Sequence, residues 1–180
     1  MPTDADIRIE PISEVHRHII SDFCTYELDL KEYLIEDAIS HQKNLVSKTF
    51  LMFFSGSLVG YITLLCDSLR VEGDMQDYFR SKNIHYKTLP AIKIGRLAVD
   101  DRYLRMGFGT RLIHLAYSYA KDVSENYSGC RFLILDAKRN KDKNKDSLHF
   151  YKKMNFKILK ERSKGTIPMY FDLVISGINS

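Results

Sequence analysis

Between Ala91 and Tyr119 the chain passes from a β-rich run, through a loop holding two glycines, into an amphipathic helix, and this unit limits the fold more than any other stretch. Ala91 to Val99 has strand character, Asp100 to Gly109 carries the glycines, and Leu112, Leu115, Ala116 and Tyr119 then recur at helical spacing. A strand that feeds a helix through a tight turn belongs to layered α/β proteins, in which the helix covers the sheet. The other runs agree with that class. Ile7, Ile9 and Ile12 open a short strand, and Leu30, Tyr33, Leu34 and Ala38 form one apolar helical stripe. Thr49 to Phe54 and Leu58 to Cys66 flank Ser55-Gly56-Ser57 as an antiparallel hairpin. Residues 67–89 hold a turn at Val71 to Asp74 and a short helix from Met75 to Lys82. Arg131 to Leu135 reads as a buried strand, a short helix ends near Met154, and Phe156 to Lys160 and Met169 to Ile175 close the sheet. The predicted order is β-α-β-β-β-α-β-α-β-β. It describes an α/β fold with a mixed central β-sheet flanked by helices, in a single domain over residues 1–180.

With 180 residues and 44% apolar content the chain can bury one core, which excludes a disordered or disulfide-dense protein. Cys24, Cys66 and Cys130 are odd in number and widely spaced, so reduced, mostly buried thiols are expected. His16 and His18 have no second ligand cluster beside them, and no metal is expected. The start lacks a basic region followed by an apolar run, and Leu58 to Cys66, the longest nearly apolar stretch, is too short to span a bilayer. A cytoplasmic protein with no membrane contact follows as the expectation. The formal charge of +4 is unevenly spread: Lys138 to Lys164 holds 11 basic and 3 acidic residues, whereas the remainder holds 16 and 20. A positive segment on an acidic body suits an anionic ligand, and a solvated lysine face is the competing reading.

Two features carry chemistry. Amides at a helix N-terminus are unpaired and partly positive, so the glycine loop suits a phosphate or pyrophosphate. Gly107 and Gly109 would let such a ligand approach the main chain, with Arg102 and Arg105 adding charge. No Gly-Lys-Ser/Thr follows, so the loop is not a P-loop, and two glycines easing a turn into a helix are the plain alternative. The second feature is Phe150-Tyr151, followed by Asn155-Phe156. A tyrosine is protonated at neutral pH and can donate to a leaving anion, although most of the eleven tyrosines must serve packing.

Together these features resemble the GNAT superfamily of acetyl-CoA-dependent N-acetyltransferases. The family pattern Gln/Arg-x-x-Gly-x-Gly/Ala reads here Leu104-Arg105-Met106-Gly107-Phe108-Gly109. The downstream pattern Asn-x-x-Ala-x-x-x-Tyr, then Gly-Phe, reads Asn144 to Ser147 to Tyr151, then Asn155-Phe156. Gly95 to Asp100, Phe23-Cys24, Lys48 to Phe50, Gly129 to Phe132 and Met169 to Leu173 resemble a narrower branch, the toxins that acetylate aminoacyl-tRNA. The resemblance implies roles by position. The main chain of Leu97, Ala98 and Val99 would pair with the pantetheine arm, and the amides of Arg105, Met106, Gly107, Phe108, Gly109 and Thr110 would cradle the pyrophosphate. Asn144 would touch the cofactor, and Tyr151 would protonate the CoA thiolate. The Lys138 to Lys145 run would meet the 3′-phosphate of CoA or a larger anion. A toxin of this branch would act on tRNA, pair with a small antitoxin and form a homodimer.

Departures from the pattern define further expectations. Leu104 stands where Gln or Arg is usual, so Arg102 or Arg105 would have to compensate. Asn155 replaces Gly where a positive φ is needed, which Asn adopts more readily than most residues. The strand Ala91 to Val99 holds Lys93 and Arg96 but no carboxylate, leaving Asp100 and Asp136 as candidate bases. A chain without an evident base matches an acceptor α-amine better than a lysine, because the α-amine is about one-tenth neutral at pH 7 and lysine below about one-thousandth. A non-catalytic CoA-binding sensor or interaction module on the same fold is the alternative function. His85 and Tyr86 are read as solvent-facing loop residues.

Overall fold

The structure, a computed structural model, describes residues 6–138 and 147–174. Among them, seven strands form one sheet: β1 (Ile7–Pro11), β2 (Lys48–Phe54), β3 (Ser57–Arg70), β4 (Thr88–Val99), β5 (Phe132–Ala137), β6 (Lys157–Ile158) and β7 (Ile167–Asp172). Their order is β1-β2-β3-β4-β5-β7-β6. The helices are α1 (Arg17–Ile20), α2 (Leu28–Glu32), α3 (Ala38–Lys43), α4 (Gly73–Ser81), α5 (Phe108–Asn126) and α6 (Ser147–Lys153). A π-helical segment, Tyr33–Asp37, joins α2 to α3. The β2–β3 turn has Ser55 at φ 48° and Gly56 at φ 84°. Two positive φ values make the type I′ geometry that suits the twist of a hairpin. Helix α5 connects β4 to its sheet neighbour β5. The predicted mixed sheet with flanking helices is the architecture found.

The chain divides into two compact units, Met1–Leu65 with Ile94–Ala116, and Cys66–Lys93 with Tyr117–Ser180. In the first, Tyr33, Leu34, Ala38 and Ile39 pack on Leu51, Phe53 and Tyr61 of the sheet. This is the stripe the periodicity predicts. Burial of each large side chain there contributes about 1.5–3 kcal/mol. Tyr61 donates its hydroxyl to the Leu30 carbonyl at 2.6 Å, and the buried hydroxyls of Thr49 and Thr63 meet at 2.8 Å. His16 is buried as well. Its Nδ1 accepts from the Ser13 amide at 3.0 Å, and its Nε2 lies 2.9 Å from Glu10, a structural use rather than a ligating one.

In the second unit Phe79 of α4 packs with Leu69, Val71, Leu89, Ala91 and Phe132. Tyr117 of α5 stacks on Phe156 and meets Phe171 at a tilt, with ring centroids 5.9 and 4.5 Å apart. Arg131 lays its guanidinium over Phe79 and pairs with Asp172 at 2.9 Å. His85 and Tyr86 are exposed loop residues, as expected, and Tyr86 lies at a cleft of about 860 Å³ with Phe79, Leu89 and Arg131. The thiol expectation is corrected: Cys130 is buried, whereas Cys24 and Cys66 are exposed. Cys66 follows the buried run of β3 at the point where the strand turns polar, and apolar sequence neighbours did not reveal that change.

Candidate active site

The segment leaving β4 is fixed by one carboxylate. Asp100 is fully buried and accepts from the Cys24 amide at 2.9 Å, from the Arg102 amide at 3.0 Å, and from the Arg102 guanidinium at 2.8 and 2.7 Å. Arg102 also donates to the Asp22 carbonyl at 3.2 Å, and the Asp101 amide donates to Cys24 at 2.8 Å. Burial alone would raise the Asp100 pKa, but the hydrogen bonds from Arg102 and Cys24 outweigh it and hold the carboxyl below its ordinary value. Two expectations are corrected here. Asp100 is a locked structural anion rather than a base, and Arg102 is committed to it and does not replace the side chain missing at Leu104.

After this clasp the main chain turns sharply. Arg105 takes φ 63° and Gly107 takes φ 89°, both left-handed. An ideal Cβ on Gly107 would meet nothing within 4 Å, so the glycine is required by its backbone angle and not by crowding. Gly107 accepts the first bond of α5, from the Arg111 amide at 3.2 Å. The amides just beyond it, those of Phe108, Gly109 and Thr110, stand in the first turn of a 19-residue helix, where the helix supplies no acceptor. Arg105, Met106 and Gly107 are exposed. Phe108 is buried against Phe54 and Tyr103, at 5.4 and 6.2 Å, and anchors the turn. Main-chain donors at a helix start, with the exposed Arg105 in the same turn, have the chemistry that suits an anion.

Leu97 and Val99 are half-buried and Ala98 is buried in β4. Sequence reasoning missed Gly60 of β3. A Cβ there would stand 2.8 Å from the Ala98 carbonyl oxygen and 3.1 Å from Leu112. Its signal was a glycine inside an otherwise apolar strand, which marks a close backbone approach.

Tyr151 lies in the second unit, on α6, and is buried. Its helix ends in a Schellman motif: the Phe156 amide donates to the Tyr151 carbonyl at 3.1 Å, and the Asn155 amide to that of Lys152 at 3.0 Å. Asn155 supplies the left-handed residue at φ 62°, as the replacement of glycine requires. The Tyr151 ring meets Phe156 edge-on at 5.9 Å and Phe150 at 5.2 Å, and the Tyr117 hydroxyl donates to the Met154 carbonyl. At the other end of α6 the Ser147 hydroxyl donates to the Lys138 carbonyl at 2.8 Å, a bond that the family's alanine cannot make. Asn144 and the rest of the Lys138 to Lys145 run beyond Lys138 lie outside the described residues.

Asp136, the remaining candidate carboxylate, is part-exposed and pairs with Lys93 at 2.7 Å, while Asp67 lies 3.8 Å from the same ammonium. Arg96 stacks over Tyr33 at 5.0 Å. Among the described residues no group of His, Cys, Asp and Glu could hold a metal, and no helix is long and apolar enough to cross a membrane.

No curated protein sequence matches the chain. Solved structures share its fold at low identity. "AtaT complexed with acetyl-methionyl-tRNAfMet" aligns with TM-score 0.75 and 20% identity, over 93% of this chain and 95% of that one. "Crystal structure of AtaTR bound with AcCoA" aligns with TM-score 0.74 and 22% identity, over 94% and 95%. A mutant of KacT aligns with TM-score 0.74 and 18% identity, over 93% and 95%. The model of the acetyltransferase (GNAT) family matches residues 13–156, which include both the glycine loop and Tyr151. The protein is therefore a member of the acetyltransferase (GNAT) family.

Proposed function

We propose that the protein, as one domain in the cytoplasm, moves an acetyl group from acetyl-CoA to a primary amine, and that the amine is the α-amine of an aminoacyl-tRNA. The observation that carries the reading is the loop in which Arg105 and Gly107 adopt left-handed angles and present main-chain donors at the start of α5. These donors fit a pyrophosphate. The main chain of Leu97, Ala98 and Val99 would hold the pantetheine arm, and bound acetyl-CoA supplies an activated thioester. Tyr151, held at its ring and carbonyl by a short capped helix, is the group to protonate the departing thiolate. Acceptor binding beside the cofactor would gain rate through alignment of the amine. Similarity to AtaT, solved with acetyl-methionyl-tRNAfMet, supports the acceptor, and structures of AtaT and KacT carrying a tyrosine-to-phenylalanine substitution support the role of Tyr151. Structures of AtaT with its antitoxin favour a small protein partner here too.

The test is calorimetric titration with acetyl-CoA, followed by mass analysis of charged tRNA incubated with both. Binding and acetylated aminoacyl-tRNA support the reading. Binding with unmodified tRNA sends the acceptor to proteins or small amines, and absence of binding defeats the enzyme assignment. The exposed Leu104, whose side chain offers no polar atom to a pyrophosphate, favours a second reading as a CoA-binding sensor. Binding without turnover of any amine would support that one.

A further inference from the structure

Residues 147–164 hold six basic side chains, Lys152, Lys153, Lys157, Lys160, Arg162 and Lys164, and one acidic, Glu161. All six are exposed, on the end of α6, the edge strand β6 and the hairpin that leads to β7. None of them has a carboxylate partner among the described residues. Elsewhere several cations are paired: Arg17 and Lys43 share Glu14, Arg102 holds Asp100, Lys93 holds Asp136, and Arg131 holds Asp172. Lys31, Lys48, Lys82 and Lys87 also have no carboxylate partner among the described residues, but they are scattered along the chain, whereas the six at 152–164 lie together on one edge.

Two ordinary causes account for part of this. Lys152 and Lys153 complement the negative end of α6, and lysines on an edge strand keep it from pairing with another chain. Neither needs so many charges of one sign. Edge protection is served by carboxylates as well as by lysines, and β6 is only two residues long, already too short to recruit a strand. Mutual repulsion of six unpaired cations opposes folding unless an external anion relieves it.

We infer that this edge, from Lys152 to Lys164, binds the phosphate backbone of the tRNA acceptor. The inference rests on the aminoacyl-tRNA reading above. Its further support is position in the chain, because the patch begins at the residue after Tyr151. An amine brought to that tyrosine on the end of a long polyanion has phosphates to place, and the nearest residues in sequence are cations. Phosphate contacts of this kind position the substrate and carry no base sequence.

The test uses unacylated tRNA and the full chain, with binding measured by fluorescence anisotropy from about 50 to 300 mM salt. Lys157→Glu, Lys160→Glu and Arg162→Glu together should weaken binding on the order of 100-fold near 150 mM salt and lower the log–log salt slope by about 2 to 3. The neutral triple, with Gln at the three positions, should fall between. Arg8→Glu, Arg17→Glu and Lys43→Glu change net charge equally and should leave tRNA affinity within about threefold of the parent. Acetyl-CoA affinity serves as the folding control. Equal affinity of the edge triple and the parent overturns the inference. So does an equal loss in the control triple, absence of tRNA binding by the parent, or tighter binding of polyglutamate than of tRNA, which would point to an acidic protein. A parent that binds tRNA through this edge but acetylates no aminoacyl-tRNA overturns the acceptor reading and leaves the surface assigned.

Discussion

Phe156 holds Tyr151 twice, through an amide-to-carbonyl bond of 3.1 Å and through an edge-on ring contact at 5.9 Å. The proposed acid is thereby fixed from the end of its own helix. Tyr151→Phe keeps the ring contact and removes the hydroxyl, so kcat should fall at least about 100-fold while acetyl-CoA affinity changes little, the range ordinary for loss of a general acid. Steady-state kinetics beside calorimetry checks this, and a matching loss of affinity would assign the hydroxyl to binding instead.

Asn155 connects that cap to stability. Asn155→Ala puts an ordinary side chain at φ 62° and should cost about 1 kcal/mol, whereas Asn155→Gly should be neutral or stabilising. Urea denaturation of the two variants decides the order. A reversed order would show that the side chain of Asn155, and not its backbone angle, matters there.

Asp100 predicts an acid limit. Its folded pKa is depressed, so its contribution is complete above the unfolded value near 3.9 and disappears as pH falls through the folded value. Asp100→Asn should cost about 2–3 kcal/mol at pH 7, through loss of charged hydrogen bonds, and progressively less below about pH 4. Melting temperatures of both proteins from neutral to acid pH measure the convergence. A gap independent of pH would mean that shape, and not charge, is what the site uses.

Gly107→Ala isolates the cradle. The added methyl has open space around it, but φ 89° should cost about 1–2 kcal/mol and press the turn to relax. Relaxation rotates the amides, so acetyl-CoA affinity should drop about fivefold to thirtyfold by that same energy. Unchanged affinity would remove these amides from the cofactor site.

Gly60→Ala tests close packing without touching a polar side chain. The methyl would collide with the Ala98 carbonyl, which is backbone and cannot rotate away, so a loss of about 1–3 kcal/mol is expected. Thermal melting reads it. A wild-type Tm would show that β3 and β4 separate freely at this level.

What could be read from the sequence was whatever depended on neighbours in the chain. The stripe at Leu30, Tyr33, Leu34 and Ala38, the Ser55-Gly56 turn, the loop into α5 and the backbone angle of Asn155 are all local, and each is in place. The partner of Arg102 was not legible, because it depends on Asp100 turning inward to reach the Cys24 amide, 76 residues away. Gly60 and Cys66 failed for the same reason, since the Ala98 carbonyl and the solvent exposure of a strand end belong to the sheet and not to the run of residues. The charge segregation was visible, but only the folded chain shows that the cations at 152–164 share one edge and have no carboxylate partner among the described residues.

The bond from Ser147 to the Lys138 carbonyl has a consequence for how such a protein can change over generations. It joins Lys138, just past β5, to the first residue of α6, nine positions further on. In general, doubling the length of a loop costs only about 0.6 kcal/mol. An attachment made directly from helix to strand end keeps α6 and its tyrosine in place by a bond that asks nothing of the residues between.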